Sequence, residues 1–589
     1  MPVRFAASFA KPSPWARLRA VLPALLAALL PCSAVAAAAS LPEVGAYVDL
    51  AAMAPPAMAA EVDRLADAGV ASVRLPLDWN RVQPGPGPFL WQRDDAAVDA
   101  ARARGLDVVL VLGPCAEWAV DPAWQVPADK RANSLPKSLD LWEAYVRAAV
   151  SHFRGRVAYW QVREQPNAEN FRGARSEYTK LLRAAARAAR AVDPAAVVVA
   201  AEAGSLDVGA AQLMARSPEW DDVGVVGLYV RPGWPNTSAS ALRWAVLTGE
   251  VLPSAPGAPR PAWVLGGGAD MSADLWLQQY LLACAFGAAR FYLPASVVSR
   301  DWLAPLAGLQ YSGFLHLGPD LWALWFRDGS RSLVAAWSER EVVVAPGDIA
   351  PVSDPDALLR TAVLGGAPAS AVTTREGAIA LRIGPRPVLI AGLDPAASAS
   401  ARQPTRADVL AVRPGPDVSK APSVYADYRI AGDPEVGLYN RPLRTLPGGA
   451  VTEEEASGRR CLRTHMRPTR GAQDADDPWV YFDVDDRWLY APATPARVAV
   501  TVECDGAFLG AEKLGFNIMY DSSTGYRFTK WQWVDPPAGQ FRRFRVELDD
   551  AVFSGRDGYD FRINAKGSKQ DLWVAAVTVE KLPPAPPPR

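Results

Sequence analysis

Between residues 45 and 295 the apolar positions fall into short runs separated by longer stretches in which Ala, Leu and Arg recur at helical spacing. The runs predict strands at 46–50, 72–77, 107–113, 157–163, 196–202, 223–230, 261–267 and 290–295. The stretches between them predict helices near 57–69, 94–104, 138–154, 174–192, 206–216, 238–248 and 272–287. Runs such as Asp107-Val108-Val109-Leu110-Val111-Leu112 are continuously apolar, as a parallel strand covered on both faces requires. Such β units alternating with α units over this length predict a (β/α)8 barrel. A doubly wound open sheet fits less well. No Gly-rich phosphate loop follows any strand, and the glycines at 266–268 lack the lysine of a P-loop.

Past the barrel the rhythm changes to strands alone. Segments 321–328, 331–338, 341–345, 358–364 and 388–393 predict a small antiparallel β domain. The organisation expected is a barrel over 41–315, a small β domain over 316–395 and an Ala/Ser/Pro/Arg-rich linker over 396–421. An all-β sandwich or jelly roll follows over 422–582, and 583–589 is a proline-rich tail.

The first 40 residues have their own pattern. Arg4, Lys11, Arg17 and Arg19 precede the apolar run Ala20–Leu30 and then the small residues Ser33–Ala39, the layout of a secretory signal peptide. The run is short and broken by Pro23 and Pro31, which argues against a membrane span. Removing this leader leaves 62 − 4 = 58 basic against 63 acidic residues, or −5, and no basic surface that would suit nucleic acid. Cys115, Cys284, Cys461 and Cys504 are too few for a disulfide scaffold. Cys461 and Cys504 either pair, which export permits, or remain buried thiols. His152, His316 and His465 lie far apart, so neither a metal cluster nor a cofactor site is indicated.

Several short motifs, in order, resemble the large clan of retaining glycoside hydrolases that includes cellulase-like and β-xylosidase/α-L-iduronidase-like enzymes. Gly69-Val70-Ala71-Ser72-Val73-Arg74 followed by Trp79 resembles the clan's second strand, whose arginine lies beneath the sugar. Gln83-Pro84-Gly85-Pro86-Gly87-Pro88-Phe89-Leu90-Trp91 resembles its x-P-x-x-G-x-x-x-W loop, and Asp94 through Gly105-Leu106-Asp107-Val108-Val109 its third βα unit. Trp160-Gln161-Val162-Arg163-Glu164-Gln165-Pro166-Asn167 corresponds to W-x-V-W-N-E-P-N, and Pro261-Ala262-Trp263-Val264-Leu265-Gly266-Gly267-Gly268 to P-x-W-V-T-E-x-G. The resemblance spans about residues 45–295 and implies a sugar-binding barrel.

In such enzymes one carboxylic acid protonates the leaving oxygen and a second attacks the anomeric carbon, about 5–5.5 Å away. By the resemblance the acid/base falls on Gln165 and the nucleophile on Gly266. A glutamine cannot donate a proton at a useful pKa, and glycine has no side chain. Strand alternation puts Gln161, Arg163 and Gln165 on one face and Trp160, Val162 and Glu164 on the other. Glu164 therefore turns inward only if the strand end bulges. Glu117, Glu202 and Asp270 also follow barrel strands. Each is either a relocated catalytic group or, for Glu117 and Glu202, the counter-charge of Arg74 or Arg163. The residues expected to line the cleft are Arg74, Trp79, Trp118, Gln165, Asn167, Tyr229 and Trp234.

The last β region is aromatic-rich, with Trp479, Tyr481, Trp488, Tyr490, Tyr520, Tyr526, Trp531 and Trp533. Trp531 and Trp533 share one strand face, which resembles a carbohydrate-binding module; the same aromatics would also fill a sandwich core. Asp483, Asp485 and Asp486 form either a calcium site or a solvated turn. The function expected is an exported protein that binds a polysaccharide or oligosaccharide in the barrel cleft without standard retaining hydrolysis. The alternative is an active O-glycosyl hydrolase with relocated carboxylates.

Overall fold

In the computed structural model, eight parallel strands close a barrel. They are β1 (Glu43–Tyr47), β2 (Ser72–Leu77), β3 (Asp107–Leu112), β4 (Tyr159–Val162), β5 (Val197–Ala201), β6 (Val225–Leu228), β7 (Ala262–Leu265) and β8 (Arg290–Pro294). β8 pairs with β1 through Glu43↔Arg290 to Tyr47↔Pro294, which closes the ring. The structure describes residues 39–584 except 122–132, 165–174, 202–205, 231–236, 267–270, 300–303, 319–320, 329–330, 360, 364–371, 376–377, 395, 397–401, 412–414, 432–433, 442–450, 466–478, 507–513, 535–538, 557 and 566–570.

The intervening helices are α1 (Pro55–Asp67), α2 (Gln92–Ala103), α3 (Leu139–Phe153), α4 (Arg175–Val192), α5 (Val208–Arg216), α6 (Thr237–Val246) and α7 (Ala273–Ala285). Local chemistry sets their ends. The Ser138 hydroxyl accepts from Leu141 N at the start of α3, which then buries Trp142, Tyr145, Val146, Ala149, Val150 and Phe153 at helical spacing. Asp207 caps α5 by accepting from Ala210 N at 2.8 Å. No helix among the described residues is long and apolar enough to cross a membrane.

The strand Gln310–His316 belongs to the antiparallel unit, not to the barrel stretch ending at 315. A sheet runs Ala39–Ser40, Gln310–His316, Leu321–Arg327, Ser332–Ser338, Val388–Ile390, Ala362–Val363, and a second one joins Val342–Val344, Ala378–Ile383 and Val372–Arg375. Ala39 and Ser40 pair with Tyr311 and Gln310, so these two residues, read from the sequence as part of the leader, belong to the fold. The strand expected over 358–364 is present as Ala362–Val363, and a short helix, Pro355–Leu358, precedes it because Asp354 caps it and Pro355 starts it.

The stretch read as a linker holds a helix, Arg406–Leu410. A reciprocal capping box between Thr405 and Asp408 closes its start, and Val409 is buried in the barrel's apolar cluster. From 423 to 581 one continuous hydrogen-bonded sheet folds around a core that includes Phe482, Val500, Phe516, Ile518, Phe561 and Val577. Cys115, Cys284, Cys461 and Cys504 are buried free thiols, so Cys461 and Cys504 do not pair.

This last unit is bolted to the barrel. Arg556 is buried between Asp207 (N···O 3.1 Å) and Asp521 (3.0 Å), and Arg243 of α6 donates to the Gly555 carbonyl. Gly209 leaves room for the bolt, since a Cβ there would lie 2.5 Å from Arg556 Nη2. Helix N-termini of a barrel lie at the strands' C-terminal end, so the contact with Asp207 sits at the rim where barrel sites form. Arg556→Met is expected to leave two buried carboxylates without their cation. Chemical denaturation should show a loss of about 3–5 kcal/mol, with the last β unit no longer unfolding together with the barrel.

Candidate functional site

Arg74 stands at the centre of the barrel mouth. It is fully buried on β2, and its Nη2 donates to Glu164 Oε1 at 2.9 Å and to the Gly266 carbonyl at 3.3 Å. Its Nη1 donates to Gln161 Oε1 at 3.4 Å. The guanidinium lies over the Tyr47 ring at 4.4 Å, with Tyr229 and Tyr292 each 5.8 Å away. Burial works against its charge, but Glu164 and these tyrosines outweigh it and hold its pKa above the ordinary value.

A second chain of bonds converges on the same carboxylate. Gln161 Nε2 donates to the Tyr229 hydroxyl at 3.0 Å and to the Arg163 carbonyl at 2.8 Å, and the Tyr229 hydroxyl donates to Glu164 Oε1 at 2.7 Å. Glu164 Oε1 thus accepts two strong bonds, while Oε2 is buried without a partner. The Glu164 side chain keeps 30% of its surface exposed, so it faces the mouth.

Gln161 and Glu164 reach the same centre although strict alternation places them on opposite faces. β4 ends at Val162, and Arg163 takes a left-handed φ of 64°. That single residue breaks the period and swings Glu164 inward, the outcome a bulged strand end allows. The counter-charge of Arg74 is therefore Glu164 rather than Glu117. Glu117 is exposed at the start of a short 3-10 turn. Arg163 is itself buried, and burial lowers its pKa.

The other expected cleft residues divide sharply. Tyr229 is buried in the network. Trp79 is wholly enclosed; it stacks on Tyr145 at 4.6 Å and donates its indole N–H to Gln83 Oε1 at 2.9 Å, so it supports the wall and meets no solvent. Trp118 is half-buried, packs edge-on against Trp79 at 6.0 Å and donates to the Gln83 carbonyl at 2.8 Å. Gln165, Asn167, Glu202, Trp234 and Asp270 lie outside the described residues. Tyr47 was not singled out from the sequence. It is half-buried at the end of β1, and burial first, then the Glu164 charge, raises its pKa, which keeps its hydroxyl protonated. A lone tyrosine at a strand end carries no signal of that role.

Gly266 follows β7. A Cβ there would lie 2.1 Å from the Tyr292 carbonyl oxygen and 2.8 Å from the Trp276 ring. The obstacle is backbone, so no side chain fits without moving β8. In the last unit Trp531 and Trp533 stack at 6.0 Å and 23°, and are 37% and 50% exposed. Of the acidic trio, Asp485 is paired with Arg487 at 2.7 Å and Asp483 with Arg441 at 2.8 Å. Among the described residues no group of His, Cys, Asp and Glu has the arrangement of a metal site.

No family model matches the chain. Among solved structures it is similar to a family 39 glycoside hydrolase from the gut symbiont Bacteroides cellulosilyticus, at 17% identity and a TM-score of 0.44 over 60% of this chain and 81% of that one. It is also similar to a family 30 endoxylanase from Clostridium papyrosolvens, at 11% identity and a TM-score of 0.41 over 61% and 98%. A family 39 β-xylosidase from Caulobacter crescentus gives 16%, 0.41, 61% and 98%. The closed parallel barrel, established by its own strand pairing, is the fold that the sequence resemblance implies.

The collision at position 266 is directly measurable. Gly266→Ala should lower stability by about 1–3 kcal/mol in urea unfolding, and Gly266→Glu should restore no glycosidase activity. Wild-type stability of Gly266→Ala would mean that β8 yields freely there.

Proposed function

We propose that the barrel mouth binds a neutral oligosaccharide or polysaccharide without the double displacement of retaining hydrolases. The observation that carries this reading is the state of Glu164. Its carboxylate serves as the counter-ion of buried Arg74 and accepts from Tyr229, while across Arg74 the strand end at Gly266 has no room for a second acid. An anion bound this firmly is a poor nucleophile, because attack would strip the guanidinium of its partner. It is a good fixed acceptor, and Glu164 Oε2 has no hydrogen-bond partner of its own to give up. The half-buried rings of Tyr47 and Trp118 supply apolar faces for pyranose C–H groups beside polar edges. Gln165, Asn167 and Trp234 belong to the same proposal as further ligand contacts. So does export, read from the basic and then apolar segment ahead of residue 40.

The inward turn of Glu164 favours one second reading, a hydrolase that uses Glu164 with a relocated partner. Glu117, Glu202 and Asp270 follow barrel strands β3, β5 and β7 in the sequence and are the candidates for that partner. Such chemistry needs two carboxyls about 5–9.5 Å apart.

Calorimetric titration with cello-, xylo- and manno-tetraose, alongside a reducing-sugar assay, separates the two. Binding of at least one tetraose with no sugar release is expected, and Tyr47→Ala should weaken it about tenfold, one stacking contact being worth about 1 kcal/mol or more. Absence of binding to all three sinks the reading. Turnover that Glu164→Gln abolishes establishes the second one instead.

A further inference from the structure

Five strands of the last unit matter here: β9 (Trp479–Val484), β10 (Leu514–Ser522), β11 (Gly525–Phe528), β12 (Gln532–Val534) and β13 (Phe561–Asn564). β13 lies between β9 and β10, with Trp479↔Asn564↔Asn517 in one row and Tyr481↔Arg562↔Met519 in the next. Phe516, Ile518, Phe561 and Ile563 point the other way, into the core. The outer face of this half-sheet therefore carries Asn517, Arg562 and Asn564 among aromatics. At one end Trp533 lies over Gly515, whose Cβ would meet the indole at 2.8 Å.

Two polar side chains on this face lack the partners their burial demands. Asn517 is only 6% exposed, yet its Oδ1 has no hydrogen-bond partner. Arg562 lies flat on Trp479, its guanidinium carbon 3.2 Å from the ring centroid, with Nε buried and unbonded and, among the described residues, with no carboxylate within ion-pair distance. Other arginines of the unit are paired: Arg556 with Asp521, Arg441 with Asp483, Arg463 with Asp571 and Arg487 with Asp485. A half-buried planar fork of donors, held over an indole and without an acid among the described residues, has the geometry that pairs with a carboxylate. Asp560, two residues before Arg562 on the same chain, is pushed above the ordinary carboxylate range by burial and then by Asp483 and Asp486.

We propose that this face binds a carboxylated sugar, a uronic-acid residue of an acidic polysaccharide. Arg562 takes the carboxylate, Asn517 takes a ring hydroxyl, and the exposed indole of Trp533 stacks on a neighbouring pyranose. From Gly515 to Asp521 the strip is about 20 Å long, at roughly 3.3–3.4 Å per strand residue. This site is separate from the barrel mouth and does not depend on it.

Calorimetric titration of the full chain with galacturonate, glucuronate and mannuronate tetramers tests it, with cellotetraose and xylotetraose as neutral comparisons. At least one uronate tetramer should bind, and its affinity should fall as salt rises. Arg562→Gln should weaken that binding at least tenfold and Arg562→Lys by less. Asn517→Asp should abolish it by setting an acid beside the guanidinium. Unfolding temperatures report whether each variant folds. Tyr47→Ala should leave uronate binding unchanged, so failure at the barrel and failure here are read separately. Absence of binding to every uronate tetramer, or wild-type affinity in folded Arg562→Gln, overturns the proposal.

Discussion

A guanidinium sealed inside a barrel cannot stand alone, and the mouth of this protein is arranged around that constraint. Arg74 has no exposed surface, so its charge requires an anion within contact. Glu164 supplies it at 2.9 Å. To reach that place the chain leaves β4 through a left-handed residue, Arg163, a conformation that costs about 1 kcal/mol or more in a non-glycine. Leaving a buried arginine without its anion costs about 3–5 kcal/mol, more than that strain, so the strand end bends. Tyr229 donates to the same carboxylate, and Gln161 donates to the Tyr229 hydroxyl and to the Arg163 carbonyl of the backbone turn.

That arrangement also fixes what the carboxylate can do. Paired glycosidase carboxyls work because one is free to attack and the other to exchange a proton. Glu164 serves as the counter-ion of Arg74 and accepts a hydrogen bond from Tyr229. The opposite strand end cannot compensate, because the Tyr292 carbonyl occupies the space a side chain at 266 would need. Glu164 therefore stands as the fixed acceptor of Arg74 and Tyr229 at the barrel mouth.

The barrel was legible because period and length agreed: continuous apolar runs such as 107–112 and amphipathic helices such as 139–153 admit one arrangement. The site was legible only as far as alternation held. It placed Gln161 inward and failed two residues later, at Arg163, because left-handed backbone in an arginine has no compositional mark. Trp79 followed Arg74 as a cleft residue by motif order, but its indole satisfies Gln83 and packs on Tyr145, a use that only three-dimensional neighbours reveal. The strand Ala378–Ile383 escaped notice because its alternation is shallow, with alanine at two of six positions. The capping box at Thr405 and Asp408 was present in the letters, yet an Ala/Pro/Arg-rich background reads as linker before it reads as helix.

Arg556 and Arg562 show how register alone decides an arginine's role. They lie six residues apart near the same sheet edge. Arg556 projects from a turn into the seam with the barrel, where Asp207 and Asp521 close on it from both sides. Arg562 lies within β13, where its cross-strand neighbours are Tyr481 and Met519, neither of which can accept its charge. The tryptophan beneath it offers a π face instead, which holds the guanidinium flat but leaves its hydrogen-bond donors unused. Structural charge in this unit is neutralised internally wherever an acid is in register. At Arg562 no acid among the described residues pairs with the guanidinium while the platform that orients it is retained, the arrangement from which we infer a carboxylate ligand.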